Sequence, residues 1–311
     1  MRLSRFFQML ALMAALVAAS SPARAQKYDL RVKLTPGDKA QMLMVMDQKI
    51  TQEMGGQKSP ADQHMEMSMS SEVISADAGV YTVKVTYGRI AMSNKAVGGN
   101  MNFDSDDDTS STINPMAGVL RAFVGAELTM QVTDRGKIVE MKGYEKVWEK
   151  MFATLDAIPE QYREPLKDAM KEQFGEKSMS EMLNRITGVL PDAPVGVGDS
   201  WARKVEVAAG FPMQVETTYT LKGKDGDAFL IESKGTISPL TNGAPTKING
   251  TEVTYAMSGT QTGTLRFMTS KLFNESAIHQ SMAGTMGMKA IDQQITIPMT
   301  MENDIQMKPA K

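Results

Sequence analysis

The chain has 311 residues, with 34 Lys and Arg against 36 Asp and Glu, no Cys, two His and 28 Met. That length is ample for one large or two modest domains. The missing thiols exclude disulfides, thiol catalysis and an acylated N-terminal cysteine. A near-neutral balance, without any basic stripe carrying interleaved aromatics, excludes a nucleic-acid footprint.

In chain order, Arg2 and Arg5 precede the apolar run Met9 to Ala19, and Ala23-Arg24-Ala25 offers small residues at the two positions a signal peptidase reads. Residues 1–25 are therefore expected to be a signal peptide. Its apolar run is too short for a permanent anchor, so the exported chain would start at Gln26, in the periplasm or outside the cell, with no integral membrane segment after cleavage. Arg2 and Arg5 are separated and do not form a twin-arginine signal. Once Arg2, Arg5 and Arg24 are lost, 31 basic residues face 36 acidic ones, a net charge of −5.

Residues 26–142 read as a first β-rich half. It begins with Tyr28 to Leu34 and turns at Thr35-Pro36-Gly37-Asp38. Lys39 to Met54 is a long strand with Met42, Met44, Met46 and Ile50 on one face, and Gly55-Gly56 turns it into a second strand. There Met65, Met67, Met69 and Val73 alternate with Glu66, Ser68, Ser70 and Glu72. Tyr81, Val83, Val85 and Tyr87 continue an antiparallel meander. Residues 93 to 115 read as a polar loop. Its acidic run Asp104, Asp106, Asp107, Asp108 lacks the Gly and terminal Glu of an EF-hand. Leu128, Met130 and Val132 lead through Asp134-Arg135-Gly136 into a hairpin.

Residues 143–190 are the one stretch that reads as helical. Tyr144, Val147, Trp148, Met151, Leu155 and Ile158 form an amphipathic stripe ending at Pro159. Pro165 opens a second helix carrying Leu166, Ala169, Met170 and Phe174. Ser178 with Glu181 forms a capping box for a third, ending at Gly188. These helices are expected to plug one end of a β-core or, alternatively, to act as a lid or partner-binding pair.

Residues 191–311 read as a second β-rich half, in which Gly198-Asp199 echoes Gly37-Asp38. Strands follow over Gln214 to Lys222, Ala228 to Ile237, Glu252 to Met268 and Lys271 to Ser281. The last strand places Ile295, Ile297, Met299, Met301, Ile305 and Met307 on one face. Pro298, on the other face, argues for a sheet edge. The fold class expected is α+β: long antiparallel strands in one or two curved, half-barrel-like sheets, with an internal β-duplication and a three-helix insertion.

Several elements resemble an exported bacterial family of unknown function. They are Leu34-x-x-Gly37-Asp38, Asp47 to Gln52, Asp134-Arg135-Gly136-Lys137, Val197 to Trp201, Tyr219-Thr220-Leu221, Ser258 to Gln261 and Ile297-Pro298-Met299-Thr300. These are turn and strand signatures, so the resemblance implies a fold and no activity. Curved antiparallel strands with plugging helices also look, in architecture alone, like periplasmic lipoprotein carriers.

The chemistry is bounded by absences. No phosphate-cradling Gly loop, zinc spacing or nucleophile elbow occurs, and neither His64 nor His279 sits in a motif, so no catalytic residue is expected and no cofactor. The leading expectation is a non-enzymatic binder of an apolar ligand or lipid on a face made by Met42, Met44, Met67, Ile297, Met299 and Met301, where thioethers adapt to irregular apolar shapes. One alternative is soft-metal binding, Cu(I) or Ag(I), through His64, Met65, Met67 and Met69. The other is a structural module of the envelope with a solid core.

Overall fold

The computed structural model describes residues 26–96, 99–107, 115–153, 175–207, 212–240, 246–248, 251–290 and 293–310, together with 155, 160, 163–164, 167–168 and 170–171. The expected signal peptide, Ile158 and Pro159, and Pro165, Leu166, Ala169 and Phe174 of the expected second helix lie outside the described residues.

The first half contains β1 (Lys27–Tyr28), β2 (Lys39–Met54), β3 (Gln57–Asp77), β4 (Val80–Ala96), β5 (Gly99–Asp104), α1 (Pro115–Phe123), β6 (Glu127–Thr133) and β7 (Ile138–Lys142). Two described helices follow, α2 (Tyr144–Ala153) and α3 (Glu176–Thr187). The second half contains β8 (Val195–Gly196), β9 (Ser200–Val207), β10 (Met213–Asp225), β11 (Ala228–Pro239), β12 (Thr246–Ile248), β13 (Thr251–Met268), β14 (Glu275–Ala290) and β15 (Gln293–Pro309). Apart from the short β1–β8 pair, all the strands belong to one antiparallel sheet of order β7-β6-β4-β3-β2-β15-β14-β13-β11-β10-β9, with β5 beside β4 and β12 beside β13. One meander runs outward from β2 to β7. The other starts at the far end with β9 and returns to β15. Pairing of Met42–Gln52 with Met299–Pro309 joins the two halves at the centre, while β7 and β9 end the sheet and do not pair with each other.

The strand expected over Lys39 to Met54 is β2 with those same bounds, and its burial alternates over Lys39–Met44 and again over Asp47–Ile50. Other expectations need correction. Residues 93–96 continue β4, 99–104 form β5, and α1 follows from Pro115, so most of the described residues of the supposed polar loop are regular structure. Proline opens α1 at a position where its missing N–H costs nothing, and Ala117, Val119, Leu120 and Phe123 are buried. α3 begins at Glu176 after Gly175, whose extended backbone makes no side-chain cap bond, so Ser178 lies inside the helix rather than capping it. The strand expected from Lys271 begins at Glu275, after a turn in which Asn274 Oδ1 accepts from Met268 N at 2.7 Å. β15 is central, not an edge. Pro298 pairs with Thr285 of β14 just beyond the end of the β2 ladder, which stops at Met299–Gln52, so its missing N–H breaks no bond on that side.

The two Gly-Asp turns match bond for bond. Gly37 and Gly198 both have φ +93°, a left-handed conformation that favours glycine. Asp38 Oδ2 accepts from Thr35 N at 2.9 Å and Asp199 Oδ2 from Gly196 N at 2.8 Å. Gly37 N donates to Val73 O and Val73 N to Asp38 O; Gly198 N donates to Leu221 O and Leu221 N to Asp199 O. Each turn thus clamps the second strand of its own meander.

At this end the gap between β7 and β9 is covered. Asn184 of α3 accepts from Ile138 N at 2.7 Å, supplying the partner an edge strand lacks. Trp201 Nε1 of β9 donates to Val189 O at 2.7 Å, just after α3. Residues 29–34 cross between two hairpin turns: Val32 N donates to Asp134 O and Lys33 N to Thr269 O, each at 2.7 Å, with Leu30 and Val32 buried beneath. The principal core lies here, with Leu128, Met130, Met141, Met151 and Leu155 fully enclosed. A second, smaller core of Met213, Val215, Ile237, Met257, Met282, Met299 and Met301 lies on the same sheet face, towards the opposite strand ends.

Candidate functional site

The register across the sheet places inward residues in continuous rows. One row contains Asn94, Gln63, Gln48, Asn303, Gln280 and Gln261 on six adjacent strands, followed by Gly235, Thr217 and Arg203. Four of the six carboxamides bond along the row. Gln48 Nε2 donates to Asn303 Oδ1 at 2.8 Å, Asn303 Nδ2 to Gln280 Oε1 at 3.2 Å, and Gln280 Nε2 to Gln261 Oε1 at 2.8 Å. Gln261 Nε2 reaches Thr217 Oγ1 at 3.5 Å. Thr217, Gln261 and Asn303 are buried, so this polar belt divides the two apolar cores. Buried polar groups are tolerated because they satisfy each other, each bond contributing about 1 kcal/mol net.

The next inward row towards the principal core is Met92, Met65, Met46, Ile305 and Ile278. All five stay half-buried, as does Met67 one row further on, whereas Met69, Met42 and Met307 nearby are closed off. A half-buried thioether row beside a carboxamide row is an amphipathic surface on the concave side. Among these inward strand positions the charged side chain is Arg203, which is held by the Asp192 carboxylate at 3.1 Å and by Leu190 O.

The six residues expected to form one apolar face are divided by the belt. Met42 and Met44 lie in the principal core, with Met67 packed against it, and Met299 and Met301 lie in the second core. Met42, Met44, Ile297, Met299 and Met301 are 2–9% exposed; Met67 alone is half-buried. Antiparallel pairing explains the separation: Met44 meets Met307, while Met301 meets Ile50 further along β2. The partly open Met46, Met65 and Met92 were not distinguished by sequence, because alternation marks a face and not its depth.

The alternative metal group does not converge either. His64 points outward, its Nδ1 2.7 Å from Asp47 Oδ1, while Met65 and Met67 are inward. Among the described residues no group of three or more His, Asp or Glu is placed to hold a metal ion. The sequence also did not reveal that the two histidines share one outward row. Asp47 and Asp304 face each other across the β2–β15 seam, with His64 bonded to the first and His279, at 2.8 Å, to the second.

A second outward cluster lies over β3, β4 and β5. Arg89 Nε and Nη2 donate to both carboxylate oxygens of Asp104 at 3.0 and 2.7 Å, and its Nη1 donates to Glu66 at 2.8 Å. Hydrogen bonds from Arg89 hold both carboxyls below their ordinary values. The acidic run is thus engaged by an arginine at Asp104; Asp108 lies outside the described residues.

No curated protein matches the sequence. Among solved structures, the chain is similar to one described as lipid-protein interactions in lipovitellin, at 8% identity and a TM-score of 0.45, covering 90% of this chain and 26% of that one. It also aligns with the translocator domain of the autotransporter NalP from Neisseria meningitidis, at 6% identity and a TM-score of 0.20, covering 97% and 96% of the two chains. Pseudomonas aeruginosa OccK2 (OpdF) aligns at 6% identity and a TM-score of 0.23, covering 90% of this chain and 100% of that one. No described helix is long and apolar enough to cross a membrane. A profile described as a family of unknown function matches residues 78–271, more than half of the chain, from the β3–β4 turn to the turn after β13, and the protein therefore belongs to that family, DUF6263.

Proposed function

We propose that the protein is an exported, non-enzymatic binder of an apolar or amphiphilic ligand in the cell envelope, and that the ligand lies against the inward row of Met46, Met65 and Met92 with Met67 beside it. The observation that carries this is the row's partial exposure. Unbranched thioethers left half-covered on a concave face repack around an acyl chain at little cost. β7 and β9 do not pair, so the sheet does not close into a barrel, and the helix and chain that bridge them lie at the principal-core end. The export signal read from residues 1–25 supplies the location. The non-enzymatic part is supported by the surroundings of the histidines. Ser281 Oγ donates to Glu302 at 2.6 Å and His279 Nε2 stands 3.4 Å from the same carboxylate, so hydroxyl and imidazole converge on an acid instead of on each other.

Titration with the apolar fluorophore 1-N-phenylnaphthylamine tests the reading. Saturable binding is expected, and Met65→Asp or Met92→Asp should weaken it about tenfold or more, because a carboxylate in the wall must be desolvated. Met54→Asp is the control, at a side chain 55% exposed near the end of β2. Absence of saturable binding, or equal binding by all variants, would contradict the proposal.

A further inference from the structure

We infer that the carboxamide row recognises the uncharged polar head of an amphiphile, of the ester-and-hydroxyl kind found in a monoacylglycerol, and discriminates against a free carboxylate. This rests on the reading of the Met row as an apolar ligand site, and adds the chemistry of the head group.

The first support is the quality of the row's donor contacts. Gln63 Nε2 has Met92 Sδ as its acceptor at 3.6 Å, and Gln48 Nε2 and Asn303 Nδ2 both reach Met301 Sδ at 3.6 Å. A thioether is a weak acceptor, so an ester or ether oxygen entering beside Gln63 would give its N–H a better partner. At the same end of the row, Asn94 Oδ1 is buried without a hydrogen-bond partner. A buried carboxamide oxygen of this kind is matched by a donor, and a ligand hydroxyl is one. Gln63 and Asn94 therefore present an N–H and a C=O side by side.

The second support is spacing. Met92 and Met65 precede and follow these amides by two residues on their strands, in register with each other. Two strand residues span about 7 Å, so a chain on the Met row and a head on the amide row belong to one molecule of ordinary amphiphile size.

Charge is the third. The belt's one cation, Arg203, is occupied by Asp192 and Leu190 O at the far end of the row. Arg121 lies over the ring of Phe103, the strand partner of Met92, and is not a member of the row. Among the described members of the row no cation stands beside Gln63, so a carboxylate or phosphate there would be costly to bury, whereas ester and hydroxyl groups find both hydrogen-bonding partners.

The test is competition against bound 1-N-phenylnaphthylamine at pH 8 by 1-monooleoylglycerol, oleate and 1-octadecene. Monooleoylglycerol should displace the probe at a concentration about tenfold or more below that of oleate, the kind of discrimination that matched hydrogen bonds produce. Gln63→Leu and Asn94→Leu should keep probe binding and reduce that preference to roughly threefold or less. Equal displacement by all three competitors in the wild type would overturn this inference and leave the apolar site standing. Retention of the preference in both folded variants would overturn it as well, while failure of the wild type to bind the probe at all would remove both readings. Should a variant not fold, the wild-type comparison of oleate with monooleoylglycerol decides alone.

Discussion

At the residue scale, burial separates side chains of the same type into different roles. Met301 is 2% exposed in the second core. Met301→Ala should therefore cost about 2–5 kcal/mol in urea unfolding, because the surrounding strands cannot collapse into the space. Met46→Leu, at a half-buried position, should stay within about 1.5 kcal/mol of wild type. Arg89 sets a pH dependence of known sign. Hydrogen bonds from Arg89 hold Glu66 and Asp104 below their ordinary values. The stabilisation they contribute is complete above the unfolded-state pKa values, near about 4, and is lost as pH falls through the lower folded-state values. In an acid titration followed by circular dichroism, Arg89→Met should begin to unfold at higher pH than wild type. The difference in stability is greatest at neutral pH, is modest there because all three side chains are about a third exposed and the ion pairs are screened, and vanishes once both carboxyls are protonated. Nothing in the sequence announced this triad, because it depends on β5 pairing with β4 to bring Asp104 to Arg89.

At the element scale, the Asn184 carboxamide supplies a partner to the outermost strand. It accepts from Ile138 N and donates to Ile138 O at 3.3 Å, closing the free edge of β7. Asn184→Leu should cost about 1–3 kcal/mol by leaving a half-buried amide unpaired, and hydrogen exchange at Ile138 should accelerate more than at Met130 in the centre of β6. Two inward glycines mark close approach of neighbouring strands. A Cβ on Gly259 would collide with Ser281 O, and one on Gly284 with Ala256 O, both on adjoining strands. Gly284→Ala is expected to destabilise strongly, by a thermal scan, since backbone and not a flexible side chain would have to move. Strand alternation and the turn residues made β2, β6 and β7 legible, and the paired Gly-Asp motif pointed to matching turns that the structure realises bond for bond. α1 escaped because its stripe is short and follows the acidic, polar stretch around Asp104 to Asp108 that reads as loop. Pro298 misled because a missing N–H indicates an absent neighbour at one residue, not along a whole strand.

At the scale of the whole molecule, one meander running outward and one returning share a central seam, and α3 bridges the unpaired strands β7 and β9. The face of each Met was readable from its period of two, but its depth was not: Met46 and Met44 have the same spacing and residue type, yet only Met44 is closed into the core. The amide belt is likewise distributed over six strands from Gln48 to Asn303, and no local pattern joins those positions until register does. On the proposed reading an apolar ligand contacts the half-buried thioethers and not the enclosed ones. Methyl NMR on methionine-labelled protein, titrated with 1-monooleoylglycerol, tests it most directly. Saturable shifts are expected at the methyls of Met46, Met65, Met67 and Met92, with Met130 and Met141 of the principal core unmoved; shifts confined to exposed Met54, or no saturable shift at any of the four, would rule out a ligand on this row.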